Sequence, residues 1–141
     1  LDEDLKLGIN FKGILRADDA AKAVAEGYDG IMVSNHGGRQ VDGGRGALAA
    51  LPGVVEASAG KIPVLFDSGI RCGGDVFKAL ALGAGAVGIG RPYVYGLALQ
   101  GEAGVRAVME NLIAELDLTM ALSGCRAPAE GGDTLLTPPS F

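Results

Sequence analysis

Lys22-Ala-Val-Ala-Glu-Gly27-Tyr-Asp-Gly-Ile31-Met-Val33 and Lys78-Ala-Leu-Ala-Leu-Gly83-Ala-Gly-Ala-Val87-Gly-Ile89 are two copies of one pattern, set 56 positions apart (22 to 78). At the same spacing Gly13 and Ile14 fall on Gly69 and Ile70, and Asp19 falls on Asp75. Each copy reads as an apolar strand, a short loop, an alanine-rich helix and a second short apolar strand. A glycine just past the helix supplies the left-handed residue that ends it. Acidic residues in the first turn suit the positive end of the helix dipole. The pattern is a βαβ unit used twice.

Extending this reading along the chain predicts strands over residues 9–14, 30–34, 62–67 and 86–89. Helices are predicted over 17–26, 52–59 and 74–82, with an apolar stretch at 93–99 and a longer helix over 103–122. The strands are apolar with little alternation, which predicts helices covering both faces of a parallel sheet. Four such strands fit either a small open sheet or half of an eight-stranded barrel, and repeated βα units favour the barrel. The expected fold is therefore α/β, half of a (β/α)8 TIM barrel over residues 1–125, followed by an irregular tail over 126–141. Half a barrel leaves two strand edges and an apolar face open. Completion by another chain, another copy in a homo-oligomer, or an N-terminal half outside this sequence is expected.

Composition narrows the function. With 48% hydrophobic and 21% charged residues a packed core is expected, and 24 glycines in 141 residues exceed the usual share of about 7% more than twofold. The formal net charge of −5 argues against nucleic acid or an anionic membrane as the main partner, so any bound anion must be held by local groups. Cys72 and Cys125 form no spaced framework, which points to a reducing, cytoplasmic setting. The acidic start Asp2-Glu3-Asp4 is unlike a signal peptide, and no apolar run is long enough to span a membrane.

The unusual polar residues follow the strands, on the side where β/α barrels carry their chemistry. Strand two ends in Ser34-Asn-His-Gly-Gly-Arg-Gln40, which contains the only histidine. A neutral imidazole at His36 can take a proton, and a guanidinium at Arg39 can clamp a carboxylate through two bonds. The plainer reading is a loop histidine capped by backbone groups. Strand three ends in Asp67-Ser-Gly-Ile-Arg71 and strand four in Gly88-Ile-Gly-Arg-Pro92, each ahead of a helix. Glycines admit a phosphate close to backbone N–H groups, helix N-termini favour negative charge, and each loop adds one arginine. Two such loops together predict an anion site, although either alone is also an ordinary tight turn. Lys12 in strand one needs a partner, because an unpaired buried ammonium is costly. An anionic cofactor edge and the Asp67 carboxylate both serve.

Phe11-Lys-Gly-Ile-Leu15, Ser34-Asn-His-Gly-Gly-Arg-Gln40, Asp67-Ser-Gly-Ile-Arg71 and Gly90-Arg-Pro92 resemble, in order and separation, blocks of the FMN-dependent 2-hydroxy acid oxidase and dehydrogenase family. The resemblance covers residues 12–125 and corresponds to the C-terminal half of a family member. Residues 65–71 and 90–93 are most similar to the lactate 2-monooxygenase branch. The resemblance implies FMN as cofactor and a lactate-like L-2-hydroxy acid as substrate. It places Lys12 at the flavin N1/O2 edge, Ser34 against the flavin and Asp67 on the ribityl chain. Ser68, Gly69, Ile70 and Arg71 then lead to a phosphate that Gly90 and Arg91 complete. His36 is implied as the base and Arg39 as the carboxylate ligand, with oxygen reoxidising the flavin. The other reading is a half barrel that binds flavin or phosphate without turnover.

Overall fold

The computed structural model describes residues 8–136. Its strands are β1 (Asn10–Ile14), β2 (Gly30–Val33), β3 (Val64–Phe66) and β4 (Ala86–Val87), all parallel and ordered β1-β2-β3-β4. The helices are α1 (Ala17–Ala25), α2 (Ala47–Ser58), α3 (Gly73–Ala81) and α4 (Arg91–Leu122). The sequence repeat is a structural repeat down to its hydrogen bonds. Tyr28 N–H donates to the Ala23 carbonyl at 3.1 Å, and Ala84 N–H donates to the Ala79 carbonyl at 3.0 Å. Gly27 and Gly83 hold φ of 80° and 98° at the two helix ends, a conformation that glycine adopts without a Cβ clash.

Side chains alternate across a strand, so the register divides the sheet into two faces. Ile31 faces Val64 and Val33 faces Phe66 across β2 and β3. These four are buried in one core with Ala20 and Ala23 of α1, Leu51 and Val54 of α2, and Ala79 of α3. Full burial of an aliphatic or aromatic side chain stabilises by about 1.5–3 kcal/mol, so this face carries most of the packing energy. Lys12, Met32, Leu65 and Ala86 form the opposite row, where none is fully buried. The expectation of cover on both faces is corrected here: among the described residues the helices cover one face. Sequence could not separate the cases, because Met32 and Leu65 are as apolar as the residues on the covered side.

Two helices differ from their expected bounds. Helix α2 begins five residues before the predicted start at Pro52, which lies inside it. Proline is favoured in a first turn and costly further in, and that preference shifted the expected boundary. Burial of Ala47, Ala50, Leu51 and Val54 on one side of α2 offsets the lost hydrogen bond. The segments expected at 93–99 and 103–122 join as α4, broken at Gln100 (φ −144°) and Gly101 (φ 58°, ψ −136°). The break turns its two arms onto each other at Gly96 and Gly104, where a Cβ on Gly104 would stand 1.9 Å from the Gly96 carbonyl oxygen. The first arm leaves Tyr93, Val94, Tyr95, Leu97 and Leu99 exposed.

The expected irregular tail contains two 3₁₀ turns, Pro128–Glu130 and Asp133–Leu135. Leu136 then packs against a second small core of Phe77, Met120 and Cys125. The acidic start and residues 137–141 of the tail lie outside the described residues. Cys72 and Cys125 are free. No helix among the described residues is long and apolar enough to cross a membrane.

Candidate functional site

Parallel strands bring their C-terminal ends to one edge of the sheet, and the loops there enclose a cleft of about 320 Å³. Lys12, His36, Arg39, Asp67, Ser68, Gly69, Ile70, Arg71, Gly90 and Arg91 all line it. Ser34 lines an adjoining cleft of about 430 Å³ that shares Lys12 and His36 with the first. Every candidate site residue from the sequence therefore borders one of two neighbouring clefts. Val94, Pro92, Gly37, Gly88 and Ile89 also line the first cleft and were given no role. All but Val94 sit inside the quoted glycine-rich loops, so the signal for them was present.

The His36 loop is an unusual turn. His36, Gly37 and Gly38 follow one another with φ of 56°, 68° and 77°. Left-handed backbone at a residue with a Cβ costs on the order of 1–2 kcal/mol, so surrounding groups must hold it. Ser34, 2% exposed, accepts from the His36 N–H at 3.1 Å. The Asn35 side chain accepts from the Gly38 N–H at 3.2 Å. Gly37 is gripped from both other loops: its N–H donates to Ser68 Oγ at 3.2 Å, and its carbonyl accepts from Arg91 at 3.1 Å. A Cβ on Gly37 would meet the mobile end of Arg91 at 2.8 Å, and the left-handed φ of 68° is what favours glycine there. The capping anticipated in the plainer reading thus acts on the backbone of a residue that lines both clefts.

Lys12 has three neighbours across the sheet, Met32 Sδ at 3.4 Å among them. Its ammonium donates to Ser34 Oγ at 2.9 Å and forms an ion pair with Asp67 Oδ2. Of the two partners considered from sequence, the structure shows the Asp67 carboxylate on the lysine. Partial burial pushes the Asp67 carboxyl up, but hydrogen bonds from Lys12, Ser34 and Ser68 and the Lys12 charge outweigh it, holding the group below its ordinary value of 3.8. A depressed folded-state pKa contributes stability above the unfolded value, lost as pH falls through the folded one. Asp67→Asn is therefore expected to lower the ligand-free thermal midpoint at neutral pH. That difference should begin to close near pH 3.8 and vanish below it. A pH series of melting curves for both proteins checks this, and a constant gap down to the acid limit would remove the ion pair as its cause.

The two arginine loops are not equivalent. At the start of α3, Arg71 N–H donates to Asp75 Oδ2 at 3.0 Å and Gly73 N–H donates to Glu115 Oε2 at 2.7 Å. Two carboxylates thus already occupy that helix end, the second arriving from α4. Gly90 caps α4 without a side-chain hydrogen bond, and no acid lies in the first turn of α4. Free N–H groups and the helix dipole at that end favour an anion. Of the two loops from which an anion site was expected, only the Gly90–Arg91 helix start is free of a carboxylate, and Arg71 lines the same cleft. Glu115 had no signal in sequence, since it lies 42 residues from the amide it caps. The donor set suits a phosphate-bearing, elongated cofactor: cations and an open helix end in one cleft, with a second cleft beyond Lys12 and His36.

Fold and site together define a parallel β/α protein with a cationic cleft at the C-terminal ends of its strands. The family model for FMN-dependent dehydrogenases matches residues 1–138, and the chain belongs to that family. It is 57% identical over 118 residues to L-lactate oxidase of Lysinibacillus sphaericus, covering 84% of this chain and 31% of that protein. It is 58% identical over 120 residues to 2-hydroxyacid oxidase 1 of Mus musculus, covering 85% of this chain and 32% of that one. Among solved structures, a Pediococcus acidilactici (putative) lactate oxidase superposes with a TM-score of 0.88 at 45% identity, over 91% of this chain and 36% of that one. The chain spans about a third of the length of the curated relatives it matches.

Proposed function

We propose that the chain forms the C-terminal four βα units of an FMN-binding (β/α)8 barrel that oxidises a lactate-like L-2-hydroxy acid. The observation that carries this is the gathering of Lys12, His36, Arg39, Asp67, Arg71 and Arg91 around one cleft from four successive strand ends. The relatives named L-lactate oxidase and 2-hydroxyacid oxidase support the substrate class. Among the described residues, the open face bearing Met32 and Leu65 and the unpaired edges of β1 and β4 fit cover by the remaining units of such a barrel.

FMN, when bound, supplies the two-electron acceptor, with oxygen as the final oxidant. Gly90, Arg91 and Arg71 would hold its phosphate, and Ser68, Gly69 and Ile70 would line the approach to it. Asp67 and Ser34 would offer hydrogen-bonding groups along its length, and Lys12 would offer positive charge to an anionic edge. Arg39 binds the substrate carboxylate through its planar fork. His36 takes the hydroxyl proton as the acid becomes a 2-keto acid, and the clamped turn keeps the imidazole at the cleft while this happens.

The test is direct: the intact protein is purified, its flavin content measured, and L-lactate added without oxygen. Bound FMN that bleaches on addition of the acid is the expected result. Flavin that binds and stays yellow would leave a non-catalytic binding module, and absence of flavin binding would remove both readings.

A further inference from the structure

The geometry points to Ser68 as a positioning residue that ties the His36 turn to the cofactor loop, an inference that rests on the FMN reading above. Among the described residues, three that are not glycine have left-handed backbone: His36, Ala59 and Ser68, the last with φ of 84°. Ala59 caps the end of α2, a common place for this conformation. His36 carries the proposed base. Ser68 stands between Asp67 and Gly69, where a glycine would adopt the same backbone without a Cβ penalty. Strain kept at one position in a cleft needs a compensating contact, and here the contact is the hydroxyl.

Ser68 Oγ donates to Asp67 Oδ1 at 2.9 Å, accepts from Gly37 N–H at 3.2 Å and lies 3.4 Å from Ser34 Oγ. One oxygen therefore joins the carboxylate that pairs with Lys12 to the residue directly after His36. The His36–Gly38 turn has little stiffness of its own, because two of its three residues are glycine. Its direction depends on Ser34 and Asn35 from its own strand end and on the two grips from outside, Ser68 and Arg91. Arg91 also faces the anion end of the cleft, whereas the Ser68 hydroxyl is fully engaged with protein groups. Of the two outside grips Ser68 is thus the uncharged one, so its loss tests the turn without removing a cation from the cleft.

Ser68→Gly removes the hydroxyl and relieves the backbone, whereas Ser68→Ala removes the hydroxyl and keeps the strain. Both variants of the intact protein are expected to slow flavin reduction, measured at saturating FMN and L-lactate, roughly ten- to a hundredfold, the scale of a misplaced reacting group. The thermal midpoint should rise or hold in Ser68→Gly and fall in Ser68→Ala, so rate and stability part company. Hydrogen exchange at the Gly37 amide, measured without flavin, should quicken in both. A parent-like reduction rate in Ser68→Gly, or unchanged Gly37 exchange in both variants, would overturn the assignment. Should the parent bind no FMN, the flavin reading falls while the exchange measurement still decides whether Ser68 holds the turn.

Discussion

His36→Ala is expected to leave FMN and L-lactate bound to the intact protein and to slow flavin reduction by a factor of roughly 10²–10⁴, the usual scale for loss of a general base. His36 lines both clefts, and Arg39 lines the first with it. The bonds that hold the turn go to the backbone of His36, Gly37 and Gly38, so removing the ring leaves them in place. The substitution therefore tests chemistry with little change to the fold. Anaerobic stopped-flow measurement of flavin reduction at several lactate concentrations separates the rate from acid binding. Reduction at the parent rate would show that the base lies elsewhere.

The second large effect is expected at Gly104, far from any reacting group. A Cβ there would sit 1.9 Å from the Gly96 carbonyl oxygen and 2.7 Å from its carbon, both backbone atoms that cannot rotate aside. Gly104→Ala must force the arms of α4 apart, and overpacking of this kind costs about 3 kcal/mol. For a domain of this size that corresponds to a fall in thermal midpoint on the order of 10 °C. Gly53→Ala in α2 is the control, because a Cβ there meets nothing within 4 Å. It should stabilise by about 0.4–1 kcal/mol, as helix propensity predicts for an unstrained glycine. Melting curves of the two variants check both. Similar midpoints would mean that the arms of α4 do not meet at Gly96 and Gly104.

The periodicity of the repeat was enough to identify the βαβ units, because helix stops and dipole-matched acids act within a turn of the chain. Gly27 and Gly83 illustrate this, with the same cap hydrogen bonds one repeat apart. The loops bearing His36, Asp67 and Arg91 were legible for a similar reason, since glycine, arginine and histidine are costly inside apolar strands and collect where strands end. Boundaries were read less well where burial outweighed local preference, as at Pro52, or where a single glycine joined two helices, as at Gly101.

Sequence by itself determined the repeated unit, the parallel α/β class and which residues stand at the strand ends. These follow from interactions between residues a few positions apart, which local composition encodes. Tertiary structure alone decided which sheet face is covered, that Lys12 pairs with Asp67 across 55 residues, and that Glu115 closes the start of α3 while that of α4 stays open. It also decided that Ser68 and Arg91 hold Gly37 between them. Each of these depends on strand register and helix docking, which set distances between residues that the chain itself leaves free. A change of one position in register would turn every strand side chain to the opposite face, and none of those pairs would form.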